Sequence, residues 1–598
     1  MEERNLAHLF RNRSQKYAND TRWRTRRKGQ WLSATGAQNQ QQVYAIMAGL
    51  YELGARKGDT IGILSNTSAE WLQTDWAIWC MGAVTVTIYP SLLPETIAYI
   101  SNDSKLKYLF IENREQYDKV MAVRSEITSV ERVIVYDPTD MPADDWVMTF
   151  EELRTLHKGT PAEREALATK LAGEISSDDL ATIVYTSGTT GDPKGAMLTH
   201  ACFLAECAAV RDRMPELKAG DVDLMFLPAA HIFGRAQHVV GVDSGLSTVI
   251  TESVKTVIDD VQAVKPTFFF SVPRIYEKIF STAKARAEAK PATAKIFNWA
   301  IGVGRQMSKI KEHKGKPGFL LKAQYAVADK LVFSKIRNLL GGNIKFALTA
   351  GAPLDLEILE FFNAAGVLLL EGWGLTETTA GATVNSPTNY RMGSVGKALK
   401  DCEVRLAEDG EIQLRGPMIF KGYYNSPEKT AEAFQDGWFL TGDIGTIDAD
   451  GFIKIVDRKK DLLITSAGKN IAPQAIEAAF KNSPYISQCA VYGDRKPYLV
   501  ALLTLDSEAL AVWAEREGLQ LGPDAHEHPR VKELIAQEAK TANASLASFE
   551  QIKYYDILPE DFSVENGLLT PTLKVRRRYI YDQFKPVYEG LYHEKPTK

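Results

Sequence analysis

The sequence predicts an α/β protein, with a large N-terminal domain whose sheets are covered by helices and a small α+β C-terminal domain. Three observations lead there. From about residue 40 to 140, helical and strand patterns alternate, as they do in a largely parallel, helix-covered sheet. The alternation resumes in short apolar runs at Leu224–Leu227, Thr267–Ser271, Lys345–Thr349 and Val367–Leu370, each followed by a loop rich in glycine, proline or hydroxyl residues. Beyond Asp457 the style changes to short strands interleaved with helices.

Taken in order, Val43, Ile46, Met47 and Leu50 fall on one helical face, Thr60–Leu64 reads as a strand, Ala69–Met81 as a helix and Val84–Ile88 as a strand. The longest apolar tract, Trp76 to Tyr89, is too short to cross a bilayer and contains Gly82. It reads as a buried helix running into a strand. Ala181–Tyr185 forms another buried strand, and Met197 onward is expected to open a helix. Lys278 to Lys322 is a basic helical excursion with apolar residues between its lysines. Such charge is ordinarily a solvated face, and a peripheral membrane contact is the other reading. In the C-terminal part, Gln488–Tyr492 and Tyr498–Leu505 read as strands, Pro473–Phe480 and Val531–Lys540 as helices. The charged run Arg458-Lys459-Lys460-Asp461 marks the junction.

Composition excludes several classes. A chain of 598 residues with 45% hydrophobic and 24% charged residues buries a sizeable core, and a net charge of -4 gives no electrostatic case for nucleic acid. Cys80, Cys202, Cys207, Cys402 and Cys489 are scattered, forming neither a disulfide framework nor a zinc set. The N-terminus is charged from its second residue and lacks the apolar core of a signal peptide. A cytoplasmic protein is expected.

Chemistry concentrates in Tyr185–His200, YTSGTTGDPKGAMLTH. Gly188, Gly191 and Gly195 allow backbone shapes that let N–H groups converge on anionic oxygens. Ser187, Thr189 and Thr190 add hydroxyls and Lys194 adds charge. A P-loop needs glycine before its lysine and Ser or Thr after it, whereas here Pro193 precedes and Gly195 follows. A second cluster, Glu371 to Thr379, combines Trp373, which can stack on a base, with Gly374, Thr376 and Glu377, whose carboxylate can ligate Mg²⁺. Thr349-Ala350-Gly351-Ala352 is small enough to pass beneath adenine, and Asp443 with Arg458 can hold ribose hydroxyls. Phe268, Phe269, Phe270 and Ile275 offer apolar walls for an acyl chain.

These segments, in this order, resemble the acyl-adenylate-forming superfamily over nearly the whole chain, and DGWFLTGDIGTIDADGFIKIVDRKKDLL resembles the signature of its long-chain fatty acyl-CoA synthetase branch. The resemblance implies a multi-sheet adenylating domain over residues 1–459 and a small mobile domain over 460–598. Lys460 corresponds to its hinge. It also implies ATP, Mg²⁺, CoA and a long-chain fatty acid as reactants. By position, Thr186 and Glu377 correspond to Mg²⁺-site residues, Gly351, Ala352 and Trp373 to the adenine pocket, and Asp443 with Arg458 to the ribose clamp. Lys574 corresponds to the catalytic lysine and Gly468 to the glycine lining the pantetheine tunnel. His231 resembles the histidine beside the carboxylate or acyl tunnel, although Gly234 stands where an acidic residue is common. His200 is expected only to support the phosphate loop. A fatty acyl-AMP ligase serving a carrier-protein thiol and a catalytically silent nucleotide-binding regulator are the alternatives. Monomer and homodimer both stand open.

Overall fold

The computed structural model describes residues 3–27, 29–186, 193–253, 256–288, 290–466, 470–563, 566–570 and 575–593. Two large sheets organise its first two-thirds. The seven-stranded one runs, in spatial order, Val147–Thr149, Arg132–Val135, Tyr108–Ile111, Thr60–Leu64, Val84–Ile88, Leu180–Thr186 and Lys194–Thr199. Every pair in it is parallel except the last. The nine-stranded sheet is parallel through its centre, where Leu369–Trp373, Phe346–Thr349, Phe268–Ser271 and Val222–Met225 lie side by side, and antiparallel at both edges.

Helices fill the space between these sheets. The helix Ala69–Cys80 is buried nearly all round, which suits an element enclosed on both sides, and Trp71, Trp76 and Trp79 are fully buried on it. The helix Ile232–Ser244 comes from the second sheet, and its Arg235 crosses to Asp75, with Nε 2.8 Å from Oδ2, under the ring of Trp79. Asp75 also accepts from Thr85 of the first sheet. An ion pair taken wholly out of water persists when its geometry and hydrogen bonds are this complete. Here it ties the two sheets together.

A third sheet, antiparallel throughout, contains Glu403–Leu406, Glu411–Arg415, Phe434–Gln435, Trp438–Ile447 and Ile453–Arg458. The C-terminal part builds its own core around the strands Ile486–Tyr492, Leu499–Leu505 and Ile552–Ile557 and the helices Pro473–Lys481, Ser507–Glu517 and Pro529–Ala544.

Several expected boundaries move. Met197 does not open a helix, because Lys194–Thr199 is a strand returning antiparallel to Leu180–Thr186. The helix begins at His200, where the Thr199 hydroxyl accepts from Cys202 N at 3.3 Å. The run expected at Leu224–Leu227 is paired as Val222–Met225. The run expected at Val367–Leu370 is the strand Leu369–Trp373, which places Trp373 on the sheet instead of in the following loop. The basic excursion is helical, as Pro273–Glu288, Pro291–Glu312 and Phe319–Ala328. The phenylalanine run divides between two faces, as strand alternation requires. Phe268 and Phe270 lie near Phe346, while Phe269 packs with Phe226 and Tyr276. Ile275 is partly buried in the second of these groups.

Candidate active site

Parallel strands bring their C-terminal ends to one edge, and the candidate residues gather at those ends. Trp373 ends its strand, Gly351 and Ala352 follow the end of Phe346–Thr349, and His231 lies beyond the end of Val222–Met225 in the same sheet. Thr186 ends Leu180–Thr186 in the neighbouring sheet. Gly351 takes φ 88, a conformation that favours glycine.

The expected phosphate loop is the connection of a β-hairpin, not a strand-to-helix turn. Thr186 pairs directly with Lys194 across it, and the Thr186 hydroxyl donates to the Lys194 carbonyl at 3.4 Å. Ser187, Gly188, Thr189, Thr190 and Gly191 lie outside the described residues, as do Gly468 and Lys574. The second hairpin strand is joined on its other side by residues 421–424: Met197 N donates to Gly422 O, Lys421 N to Met197 O and Tyr424 N to Gly195 O, at 2.8–3.0 Å.

That pairing delivers Tyr423. Its hydroxyl donates to Glu377 Oε1 at 2.7 Å, and Lys194 Nζ lies 5.1 Å from its ring centroid. Tyr423 thereby links the hairpin lysine to the candidate metal ligand. Sequence reading missed it; its only signal is a glycine set among aromatics in Phe420-Lys421-Gly422-Tyr423-Tyr424. Glu377 sits in the single turn Thr376–Thr378, followed by two non-glycine residues at positive φ, Thr379 at 55 and Ala380 at 88. Backbone held this way is sustained by its surroundings. Gly374 is part of those surroundings, since a Cβ there would collide with the Ala380 carbonyl.

Charge around Lys194 is unbalanced. Burial first, then the positive charges of Lys429 and Lys460, hold its ammonium below the ordinary lysine value, while Glu377 and Glu432 act against them. Lys194 thus lies in the field of two further lysines and two glutamates.

A second cluster joins Trp373, Asp443 and Arg458. Trp373 Nε1 donates to Asp443 Oδ2 at 2.9 Å, and Arg458 Nε lies 2.8 Å from Asp443 Oδ1. The carboxylate is buried and the guanidinium half-exposed. Trp373, expected at the adenine pocket, therefore joins Asp443 and Arg458, expected at the ribose, in one hydrogen-bonded group.

His231 caps the helix Ile232–Ser244, its Nδ1 accepting from Phe233 N at 3.2 Å. Gly234, one turn on, is explained by packing: a Cβ there would lie 2.6 Å from the Pro228 carbonyl, the same carbonyl that accepts from His231 N. His200 is fully buried, with Nδ1 accepting from Leu6 N at 3.3 Å, so it supports the N-terminal helix.

At the junction, Lys459 Nζ bonds Glu411 Oε2 at 2.8 Å and its N–H donates to Gly442 O, which pins it to the antiparallel sheet. The C-terminal part also meets the helix Pro273–Glu288. Arg274 donates to the Ser487 carbonyl and hydroxyl, Lys278 pairs with Glu508, and Glu277 lies 3.8 Å from Lys481. Ser487 in turn donates to Asp561 at 2.6 Å.

Family models described as AMP-binding enzyme and AMP-binding enzyme C-terminal domain match residues 10–424 and 460–596. A Mycobacterium bovis protein named long-chain-fatty-acid–CoA ligase FadD15 is 36% identical over 571 residues, 95% of this chain and 93% of its own. The peroxisomal long chain acyl-CoA synthetase 7 of Arabidopsis thaliana is 32% identical, covering 94% of this chain and 82% of its own. In fold, the adenylation domain of a carboxylate reductase from Mycobacterium chelonae superposes with a TM-score of 0.76 at 22% identity, over 99% of this chain and 91% of that one.

Proposed function

Because this chain belongs to the AMP-binding enzyme family, we propose that it is a long-chain fatty acid–CoA ligase that works through an acyl-adenylate, as the names of its relatives indicate. ATP, Mg²⁺ and CoA are its co-reactants. The observation that carries the reading is the convergence of Lys194, Tyr423 and Glu377 on the hairpin beside the Trp373–Asp443–Arg458 group.

The reaction has two displacements. A carboxylate oxygen attacks the α-phosphorus of ATP, the bond to the β-phosphate bridge breaks and pyrophosphate leaves. The CoA thiol, losing its proton, then attacks the acyl carbon and AMP leaves. The first step brings together two anions, so the site has to supply positive charge and alignment. Lys194 and the segment 186–191, with Ser187, Gly188, Thr189, Thr190 and Gly191, hold the phosphates. The pairing of Lys194 with Thr186 at the two ends of that loop supports that role. Thr186 and Glu377 hold Mg²⁺, which when bound screens the phosphate oxygens. Tyr423 orients the Glu377 carboxylate.

Trp373, with Gly351, Ala352, Gly374 and Thr376, accommodates adenine. Asp443, steadied by Trp373 and Arg458, accepts from the ribose hydroxyls; a carboxylate offers about four lone-pair sites. His231 stands at the acyl side of the same sheet edge. Lys574 bridges the incoming carboxylate and the α-phosphate, and Gly468 lines the way for the CoA thiol.

The domain division proposed is 1–459 and 460–598, with Lys460 as pivot. The anchoring of Lys459 to Glu411 and Gly442 fixes the sheet side of the proposed pivot, and beyond it Asp461 N and Leu462 N donate, among the described residues, only to Arg458 O of the same turn. Two nucleophiles acting in turn at one pocket give such rotation its purpose. Peripheral membrane contact through segment 278–322 and a cytoplasmic location complete the proposal; all five cysteines are buried and free of disulfides, as a reducing compartment allows. No helix among the described residues is long and apolar enough to cross a membrane. CoA-dependent AMP release, screened across acids of graded chain length with CoA as sole acceptor, tests the function; AMP release only when a carrier protein is added would overturn it.

A further inference from the structure

We infer that the outer face of the helix Phe319–Ala328, with the lysines around it, docks this protein on an anionic lipid bilayer. The choice of a bilayer rests on the fatty acid ligase reading above, since a long-chain acid partitions into membranes.

The helix has two faces of different fate. Leu321, Gln324, Tyr325 and Ala328 recur at helical spacing and turn inward: Ala328 is fully buried and the Tyr325 ring lies 5.2 Å from that of Phe333. The opposite face carries Phe319 at 89% exposure, Leu320 at 71% and Val327 at 52%, and its line continues to Leu331. Large apolar side chains aligned along one exposed face mark an interaction surface, whereas scattered ones do not.

Charge identifies the partner. All eight lysines from Lys295 to Lys335 are exposed. The acids in that stretch, Glu312 and Asp329, are already engaged: Glu312 accepts from Met392 N at 2.8 Å, and Asp329 pairs with Arg337 at 2.6 Å. Eight lysines against two acids leave this stretch positive in a chain whose net charge is -4. A second copy presenting the same face would set lysine against lysine. An anionic bilayer suits both components, since projecting Phe and Leu enter the interfacial layer while lysine ammonium groups stay among the headgroups.

The test uses the full chain in flotation with vesicles of phosphatidylcholine alone and of phosphatidylcholine with phosphatidylglycerol. The wild type should float with the anionic vesicles and far less with the neutral ones. Phe319→Ser with Leu320→Ser should weaken that binding by about tenfold or more, and Lys316→Glu with Lys322→Glu on the order of 10²-fold. Both variants should keep wild-type CoA-dependent AMP release from acid delivered in solution on albumin, which also shows that they fold. Wild-type flotation by both variants would overturn the inference. So would a serine variant that leaves flotation intact but turns a dimer into a monomer by sedimentation, because the face would then be a contact between copies. Full ligase activity without vesicle binding sinks the surface alone. Vesicle binding without acyl-CoA formation from any acid sinks the ligase reading alone.

Discussion

Asp443 and Arg458 face each other across adjacent antiparallel strands, with guanidinium Nε 2.8 Å from carboxylate Oδ1. The turn between the strands, where Asp448 Oδ1 accepts from Asp450 N and Phe452 N and Gly451 takes φ 84, sets the register as far as Gly445 and Ile455, and a bulge between Ile444 and Gly445 then shifts it so that Asp443 meets Arg458. The pair is thus held by local backbone, and Trp373 reaches it from another sheet.

Asp443→Asn replaces one carboxylate oxygen by a donor that would face either the Trp373 N–H or the Arg458 guanidinium. The apparent KM for ATP in pyrophosphate exchange should rise on the order of 10–100-fold, the scale of a lost charge-assisted hydrogen bond. Unchanged ATP dependence in the folded variant would remove Asp443 from the ribose site.

The two half-reactions should separate. Lys574→Ala should lose adenylation on the order of 10²-fold or more, while forming acyl-CoA from supplied acyl-adenylate nearly as well as the wild type. Lys460→Pro, with φ fixed at about -65°, should retain pyrophosphate exchange and lose acyl-CoA production. Equal loss of both activities in either folded variant would count against alternation about Lys460.

Gly234→Ala should destabilise the protein by about 1–3 kcal/mol, the ordinary cost of overpacking, because the new Cβ meets the Pro228 carbonyl at 2.6 Å. Urea unfolding measures it. A variant as stable as the wild type would show that the turn from Pro228 to His231 can yield.

Acid should destabilise the fold through His200, which burial pushes down to about 4, with Lys57 lowering it further and Asp179 opposing. The folded pKa lies below the unfolded value of 6.5, so as pH falls the unfolded chain takes up the proton first. The stability from burying a neutral imidazole is complete above pH 6.5 and is lost progressively towards pH 4, at up to about 1.4 kcal/mol per unit. His238, pushed down to about 3 by burial, works in the same direction. His200→Asn keeps an acceptor for Leu6 N but cannot titrate, so its unfolding free energy should fall less steeply over that window. A slope equal to the wild type's would assign the acid limb to other groups.

The sequence by itself determined what depends on neighbours along the chain. Thr60–Leu64 and Val84–Ile88 appear with their expected bounds because short runs rich in isoleucine, valine and threonine bury on both faces of a parallel sheet. The positions of Gly351 and His231 beyond strand ends were legible because glycine, proline and hydroxyl residues punctuate strand ends. Only the tertiary structure decided what depends on partners far away in sequence. Met197 lies in a strand because Leu180–Thr186 and residues 421–424 pair on either side of it, and a short apolar run has no intrinsic way to choose between helix and ladder. The same pairing sets Tyr423 between Lys194 and Glu377, and the crossing of Arg235 to Asp75 fixes one sheet against the other. The contacts of Tyr423 and Arg235 join residues dozens to hundreds of positions apart, and neither composition nor local spacing carries the register that makes them meet.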